Sequence, residues 1–202
     1  MTPFLQAAIT VMLPGADPAA GCRECGFDWT EPAGRVRAHL DDAPERFAIL
    51  LREPTAARAV PAHGVWSPGG YAWHVVDLVR AWSERLHSLA ADPGAPWAGF
   101  DPDELAGARH YDELPVASAP WALARAVDAL DEALAMLDVE GSFDHPEWGR
   151  GTVADALRWL AHEVVHHDLD VRRGLGLVGS GAQGSAAAGA SSDSSATSTP
   201  AG

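Results

Sequence analysis

Lysine is missing from this 202-residue chain, and cysteine occurs only twice. All 14 basic residues are arginines, and 28 acidic residues outnumber them, which gives a formal net charge of −14. Because such a field repels a phosphate backbone and no basic patch offsets it, we expect no nucleic-acid partner. Two cysteines cannot form a disulfide framework, so the cytoplasm is the expected location.

Long apolar runs are missing as well. No run reaches the roughly 20 residues that a membrane-spanning helix needs. Residues 1–13 have an apolar middle, but no basic residues precede it, as they would in a secretory signal. We therefore expect a protein that does not enter a membrane.

What is present predicts one helical domain with an addition at each end. Residues 1–31 are predicted to be an N-terminal extension that carries a CxxC motif, and residues 32–174 to be the domain itself. Residues 175–202 consist mostly of Gly, Ser and Ala and cannot bury enough apolar surface to become ordered. We therefore predict a disordered C-terminal tail.

Apolar residues recur at helical spacing in four stretches of the domain, and no credible run of strands accompanies them. A further short helix is predicted at Thr2–Leu13, and a long polar loop of the kind that often covers sites at Ala91–Pro115. The pattern predicts an all-α four-helix bundle. The four predicted helices are Pro32–Leu51 with an interruption at Pro44, Tyr71–Leu89 behind a Ser67-Pro68 N-cap, Ala119–Leu137, and a last helix capped by Thr152 with Asp155.

The last helix carries the candidate site residues. At about 100° per residue, His167 lies near the centre of the apolar stripe and Glu163 lies on the same side, one turn away. His162 and His166 point away from the stripe, toward solvent. A metal site inside the bundle would therefore use Glu163 and His167, together with His74 at the edge of the second helix's apolar face.

Two imidazoles and one carboxylate suit Zn²⁺ and leave one position open for water or substrate. The same set accepts Fe(II), Mn²⁺ or Ni²⁺. We predict His74, Glu163 and His167 as metal ligands and as catalytic residues. Asp170 follows on the same side of the helix and is predicted to orient His167 or to contact substrate.

The same segment contains an alternative. His162-Glu163-Val164-Val165-His166 matches H-E-x-x-H, the helix in which two histidines bind zinc and the glutamate acts as general base in metalloproteases. A helical wheel of this segment disfavours the hypothesis, because it places His162 on the side opposite the core.

The N-terminal extension contains Cys22-Arg-Glu-Cys25-Gly26, a turn that directs two thiolates at one point and resembles half of a zinc knuckle. No further cysteine exists to complete it. His39, His63 or a second copy of the chain in a homodimer are the candidates for the missing half. A pair of free thiols or a reversible disulfide is the alternative.

The stretches WSPGGYAWHVVDLVRAW and AHEVVHHDLDVRR together resemble the DinB-like superfamily, which includes mycothiol-dependent maleylpyruvate isomerase. The resemblance covers roughly Pro32 to Gly174 and implies a four-helix bundle with a metal held by His74, Glu163 and His167. The Glu-x-x-x-His-x-x-Asp order of the isomerase branch is matched through Asp170. The CRECGFDW segment lies outside the common domain, and we expect no counterpart of the separate C-terminal domain of the isomerase.

Members of that superfamily with known activity mostly use a low-molecular-weight thiol such as mycothiol or bacillithiol. The resemblance therefore implies a metal-dependent thiol S-transferase or isomerase that acts on a small electrophilic molecule. Trp73 is expected to line its pocket, as is Trp159. Arg172 is expected to hold an acidic group, with Arg80 and Arg85 as alternatives. A non-catalytic module, in which metal only stabilises a binding scaffold, is the competing hypothesis.

Overall fold

The computed structural model describes residues 2–12, 21–61, 66–94, 101–145 and 148–178. Residues 179–202, which make up most of the predicted tail, lie outside this part of the chain. Among the helices of the described residues, none is long and apolar enough to cross a membrane. The elements in chain order are α1 (Pro3–Met12), α2 (Ala33–Asp41), α3 (Ala43–Leu50), α4 (Pro54–Arg58), α5 (Pro68–Ala91), α6 (Pro102–Arg109), α7 (Ala119–Leu134), β1 (Ser142–His145), β2 (Gly149–Thr152) and α8 (Val153–Gly174).

The predicted four-helix bundle is confirmed. Helix α5 packs against both α7 and α8, while α2 lies on α8 and α3 lies on α7. The first bundle helix is two helices in succession, because Pro44 lacks a backbone N–H and the chain begins a new helix around it. The predicted interruption is therefore present, and it lets one stretch of chain contact two neighbours.

Both helices that carry candidate ligands begin at the predicted caps. The Ser67 hydroxyl accepts a hydrogen bond from the backbone N–H of Gly70 at 3.0 Å, and Pro68 follows at the first helical position. At α8 the N–H of Asp155 donates to the Thr152 hydroxyl at 3.2 Å, and the N–H of Thr152 donates to the Asp155 carboxylate at 3.0 Å. This reciprocal capping box fixes where α8 starts and therefore which way its later residues face.

A small β-hairpin, which the sequence pattern did not indicate, precedes α8. Strand β1 pairs with β2 in antiparallel register from Ser142 opposite Thr152 to His145 opposite Gly149. Phe4 of α1 packs edge-on against Phe143, and a Cβ on Gly151 would lie 2.6 Å from the Phe4 ring. Each strand has only four residues, which is too few for an alternation of apolar and polar residues to be recognised in the sequence.

The predicted long loop is also partly wrong. Its middle forms α6, which begins where the Asp101 carboxylate accepts hydrogen bonds from the backbone N–H groups of Asp103 and Glu104. A 3₁₀ turn follows at Tyr111–Glu113. The Tyr111 hydroxyl donates to the buried carboxylate of Asp77 at 2.8 Å, and Arg109 pairs with the same carboxylate. These contacts fasten the segment to α5.

The N-terminal segment 21–31 covers the face of α8 that was predicted to meet solvent. Cys22, Phe27 and Trp29 are buried in one continuous apolar core with the bundle. The Trp29 ring stacks on Trp159 of α8 with centroids 5.9 Å apart. Helix α8 is therefore buried on two sides, by α5 and by this segment.

Candidate metal centre

Helices α5 and α8 bring His74, Glu163 and His167 together. One potential ligand atom from each lies within 4.8 Å of the others. The rings of His74 and His167 meet edge-on with centroids 4.7 Å apart. The set predicted from the helical wheel therefore converges in space, at the contact between the two helices.

His167 is held by a carboxylate on each side. Its Nδ1 lies 3.0 Å from Oδ2 of Asp170, and its Nε2 lies 3.7 Å from Oε2 of Glu163. Burial alone would lower the pKa of His167, but hydrogen bonds with Asp170 and then Glu163 raise it to about 9. A histidine whose Nδ1 faces a carboxylate and whose Nε2 faces a ligand set has the arrangement typical of metal sites.

Glu163 is the carboxylate of this set. Burial would raise its pKa, but hydrogen bonds with His162 and then His167 hold it well below its ordinary value. Its side chain is 16% exposed and that of His167 is 14% exposed. The group is therefore an anion at neutral pH, close enough to the surface for a small molecule to reach it.

His74 supplies the neutral imidazole. The residue is only 5% exposed, and its Nδ1 is buried with no hydrogen-bond partner among the described residues. Burial, followed by the nearby His167, lowers the pKa of His74 to about 3. A buried polar atom without a partner is costly. A neutral imidazole with one unpartnered ring nitrogen, beside an anionic carboxylate, fits a divalent cation.

A second cluster lies on the neighbouring face of α8, where Cys22, Cys25, His162 and His166 also offer ligand atoms within 4.8 Å of one another. The Sγ of Cys22 is 3.7 Å from Nδ1 of His166. The neighbouring sulfur of Cys25, and the two nearby histidines, lower the pKa of Cys22, while the contact with Cys22 raises the pKa of Cys25. The surroundings of Cys22 therefore favour its thiolate form over that of Cys25.

The expectation that His162 points to solvent is wrong, since the residue is 0% exposed. Its ring lies 4.5 Å from that of Trp29 and 5.7 Å from that of Phe27, between centroids. The wheel gave its direction on α8 correctly but could not show that another segment covers that face. His39 does not join the cysteines, because its Nε2 pairs with Glu31 at 2.8 Å, and His63 lies outside the described residues.

The H-E-x-x-H alternative is disfavoured by the same geometry. That hypothesis needs His162 and His166 on an ion with a free position. In the structure both histidines lie beside two cysteine sulfurs, which would occupy the remaining positions of a tetrahedral ion.

A family model of the DinB superfamily matches residues 35–171. The chain belongs to the DinB superfamily. Its fold is similar to that of YfiT from Bacillus subtilis, which is described as a probable metal-dependent hydrolase with an unusual four-helix bundle topology. That likeness has a TM-score of 0.60 at 15% sequence identity and covers 73% of this chain and 89% of YfiT. No curated protein matches the chain.

Two aromatic residues near the three candidate ligands of this DinB domain were not predicted as site residues. The Trp66 ring lies 4.9 Å from that of His74, and Tyr71 stacks on His167 at 5.6 Å, between centroids. The two aromatics also contact each other at 5.3 Å. Their positions, immediately before the Ser67 cap and four residues after it, are those of a hydrophobic staple, which is the sequence signal that could have found them.

A cavity of about 340 Å³ lies beside Trp66. Trp66 and Tyr111 line it together with residues of α6, among them Ala106 and Gly107. Because Trp66 contacts both this cavity and His74, it forms a boundary that the DinB ligand set and the cavity share.

The residues predicted to bind a cofactor or substrate contact other side chains among the described residues. Trp73 is buried, with the Arg109 guanidinium 5.6 Å from its ring. Arg172 pairs with Asp168 one turn earlier on α8. Of the alternatives, Arg80 lies 3.7 Å from Asp77, and Arg85 lies over the Trp82 ring at 5.4 Å.

Proposed function

We propose that this DinB protein is a divalent-metal-dependent enzyme. It uses a low-molecular-weight thiol of the mycothiol type, and either transfers this thiol to a small electrophilic molecule or uses it to isomerise that molecule. One observation carries the proposal. Among the described residues, three protein donors, from His74, Glu163 and His167, converge at the α5–α8 contact. Three donors leave a fourth position of a tetrahedral ion for an exogenous ligand.

What a divalent cation supplies at this place is Lewis acidity, which favours the thiolate form of a coordinated thiol or polarises a carbonyl. Two imidazoles and a carboxylate favour Zn²⁺, while Ni²⁺, Fe(II) and Mn²⁺ accept the same set.

The surrounding side chains prepare this position. Asp170 accepts a hydrogen bond from the Nδ1–H of His167 and so turns Nε2 toward the other members of the three-donor set. The rings of Trp66 and Tyr71 each cover one side of His74 and His167, and apolar cover of this kind strengthens electrostatic interactions beneath it. These residues orient the ligands and lower the local polarity before any substrate binds.

Arg172 and Trp73 are the side chains that we propose contact the substrate and the thiol. Arg172 has a side chain that is 39% exposed, and it lies five residues beyond His167 on α8. An arginine there suits the carboxylate of a small substrate. Trp73 is the proposed pocket-lining residue, because it is next to His74 on α5. The Arg109 guanidinium lies over its ring.

Hydrolysis is the second candidate function. The similar fold of YfiT belongs to a protein described as a probable metal-dependent hydrolase. The open position that would take a thiol would equally take water, and the three ligands alone do not choose between them.

The test compares zinc-loaded wild type with His74→Ala, and uses His87→Ala as the control. His87 lies on the same helix, but its Nδ1 bonds to the Ser83 carbonyl at 2.9 Å, away from the ligand set. Each protein is assayed with an alkylating fluorogenic electrophile plus mycothiol, plus free cysteine, or without thiol, and with a set of activated esters.

We expect mycothiol-dependent turnover in wild type and His87→Ala and its loss in His74→Ala. Thiol-independent ester cleavage that His74→Ala abolishes would instead establish the hydrolase. Full thiol-dependent turnover in His74→Ala would contradict the proposed site.

A further inference from the structure

The CxxC segment forms a tight, internally bonded turn. The backbone N–H of Cys22 donates to the Phe27 carbonyl at 2.8 Å, and the N–H of Gly26 donates to the Cys22 carbonyl at 2.8 Å. Gly26 has a φ of +76°, in the left-handed region that favours glycine. The turn therefore holds the two cysteine side chains on one side before any ligand is considered.

Helix α8 presents two histidines to this turn. His162 and His166 are one helical turn apart, so their rings lie on the same face, with centroids 5.4 Å apart. From these four side chains we propose a second, structural zinc site, in which Cys22, Cys25, His162 and His166 bind one ion that fastens the N-terminal segment to α8.

The spacing of the donor atoms matches such an ion. Zn–S bonds of about 2.3 Å and Zn–N bonds of about 2.0 Å at a tetrahedral angle separate sulfur from nitrogen by about 3.5 Å. The observed distance between Cys22 Sγ and His166 Nδ1 is 3.7 Å. All four donor atoms lie within 4.8 Å of each other, so small side-chain adjustments suffice to close the tetrahedron.

His162 provides an independent observation. Its Nδ1 lies 3.1 Å from Oε1 of Glu163, while its Nε2 is buried and has no hydrogen-bond partner among the described residues. The ring is fully enclosed by Phe27, Trp29 and Trp159. A carboxylate on one ring nitrogen and an unsatisfied second nitrogen aimed at sulfur ligands is the arrangement in which zinc-binding histidines are found.

The donor set also defines what the site does. Four protein ligands leave no open position, so this ion would be structural, unlike one held by the three donors around His74. Thiolate ligands select zinc over magnesium, calcium or manganese. The site joins residues 144 positions apart in sequence, so the ion would tie the extension to the bundle.

Cobalt substitution tests this on the full-length chain. The protein contains no cysteines other than these two, and the site around His74 has no sulfur. A sulfur-to-cobalt charge-transfer band in wild type, with a phosphine reductant and no thiol in the buffer, therefore reports this site alone. We expect two cobalt ions per chain, one of them giving the band; cobalt saturation without the band would overturn the proposal.

Variants separate this site from the proposed catalytic one. Cys22→Ser/Cys25→Ser should lose one metal equivalent and the band, whereas His74→Ala should lose the other equivalent and keep the band. Arg23→Ala is the matched control, since Arg23 lies between the cysteines and is exposed, and it should keep both ions. Two ions retained by the double cysteine variant would contradict the inference, whatever becomes of the thiol activity.

Thiol protection decides the question even if the double variant does not fold. In zinc-loaded wild type both cysteines should resist alkylation until a chelator removes the metal. Cysteines that alkylate at the same rate with and without zinc, or that form a disulfide and after reduction bind no zinc, would show a redox or free-thiol pair and overturn the structural site.

Discussion

Oε1 of Glu163 lies 3.1 Å from Nδ1 of His162, so the carboxylate of the three-donor set also holds the buried histidine beside the cysteines. Its other oxygen, Oε2, faces Nε2 of His167 at 3.7 Å. One side chain therefore connects the two candidate metal sites on neighbouring faces of α8. A substitution at either site should therefore change the metal affinity of the other site through this carboxylate.

The first prediction concerns Glu163→Gln. The substitution keeps the shape of the side chain but removes its negative charge. Metal affinity at the three-donor set should fall by more than the roughly 10–100-fold that loss of an outer contact produces, because a ligand is lost. At the cysteine site the loss should be about tenfold, since there only the partner of His162 changes.

Competition with a chelating dye measures both affinities, and the sulfur-to-cobalt band identifies the cysteine site. Glu24→Gln, which alters an exposed glutamate paired with Arg173, is the control and should leave both unchanged. An unaltered affinity at the His74 set in Glu163→Gln would show that the carboxylate is no ligand.

The second prediction tests Asp170 as a positioning residue for His167. Asp170→Asn removes the charge 3.0 Å from Nδ1. It should weaken metal binding at the three-donor set by about tenfold and lower the pKa of His167 in the metal-free protein, because that carboxylate helps to raise it. Histidine proton resonances followed against pH report the pKa directly.

Asp168→Asn is the matched control for this change. Asp168 lies two residues earlier on α8 and pairs with Arg46 and Arg172 rather than with a histidine. It should leave the pKa of His167 unmoved. A shift of equal size in both variants would mean that Asp170 acts only through the general charge of the helix.

The third prediction is a pH dependence of metal uptake. In the metal-free protein the pKa of His167 is raised to about 9, whereas that of His74 is lowered to about 3 and Glu163 is already ionised. Binding at neutral pH must therefore displace one proton, from His167. Affinity at this site should rise about tenfold per pH unit from pH 6.5 to 9 and level off above it.

The raised pKa of His167 also predicts how the stability of the metal-free protein changes with pH. Because the folded pKa of His167 lies above its unfolded value, its contribution to metal-free stability is complete below about pH 6.5 and is lost as the pH rises through 9.

The proton released from His167 on metal binding can be measured by calorimetric titration in buffers of different ionisation enthalpy, with the cysteine site already zinc-loaded. Uptake without proton release at pH 7.5 would contradict the protonated His167.

The fourth prediction concerns Asp77, which fastens the α6 segment to α5. Asp77→Ala leaves Tyr111 and Arg109 without their shared acceptor and should lower the free energy of unfolding by about 2–3 kcal/mol. Urea unfolding measures the change. Arg125→Ala, which breaks an exposed pair with Asp128, should change it by less than about 0.5 kcal/mol; equal losses would show that burial of Asp77 is not the cause.

Several features of this protein followed from local sequence alone. The Thr152 and Asp155 cap sets the start of α8, and the apolar period then places Glu163 and His167 on its inner side. Ser67 and Pro68 do the same for α5 and His74. Caps and periodicity act within a few residues, so the bundle and its three-donor set could be predicted without knowing how distant segments pack.

Tertiary structure alone decided what covers the other face of α8. The wheel directed His162 and His166 away from the core, and that direction was right. It could not show that a turn 144 residues earlier in sequence than His166 lies over them. Burial depends on which segment arrives from elsewhere, and no local pattern records that, so only the packing of residues 21–31 turned two outward histidines into partners of Cys22 and Cys25.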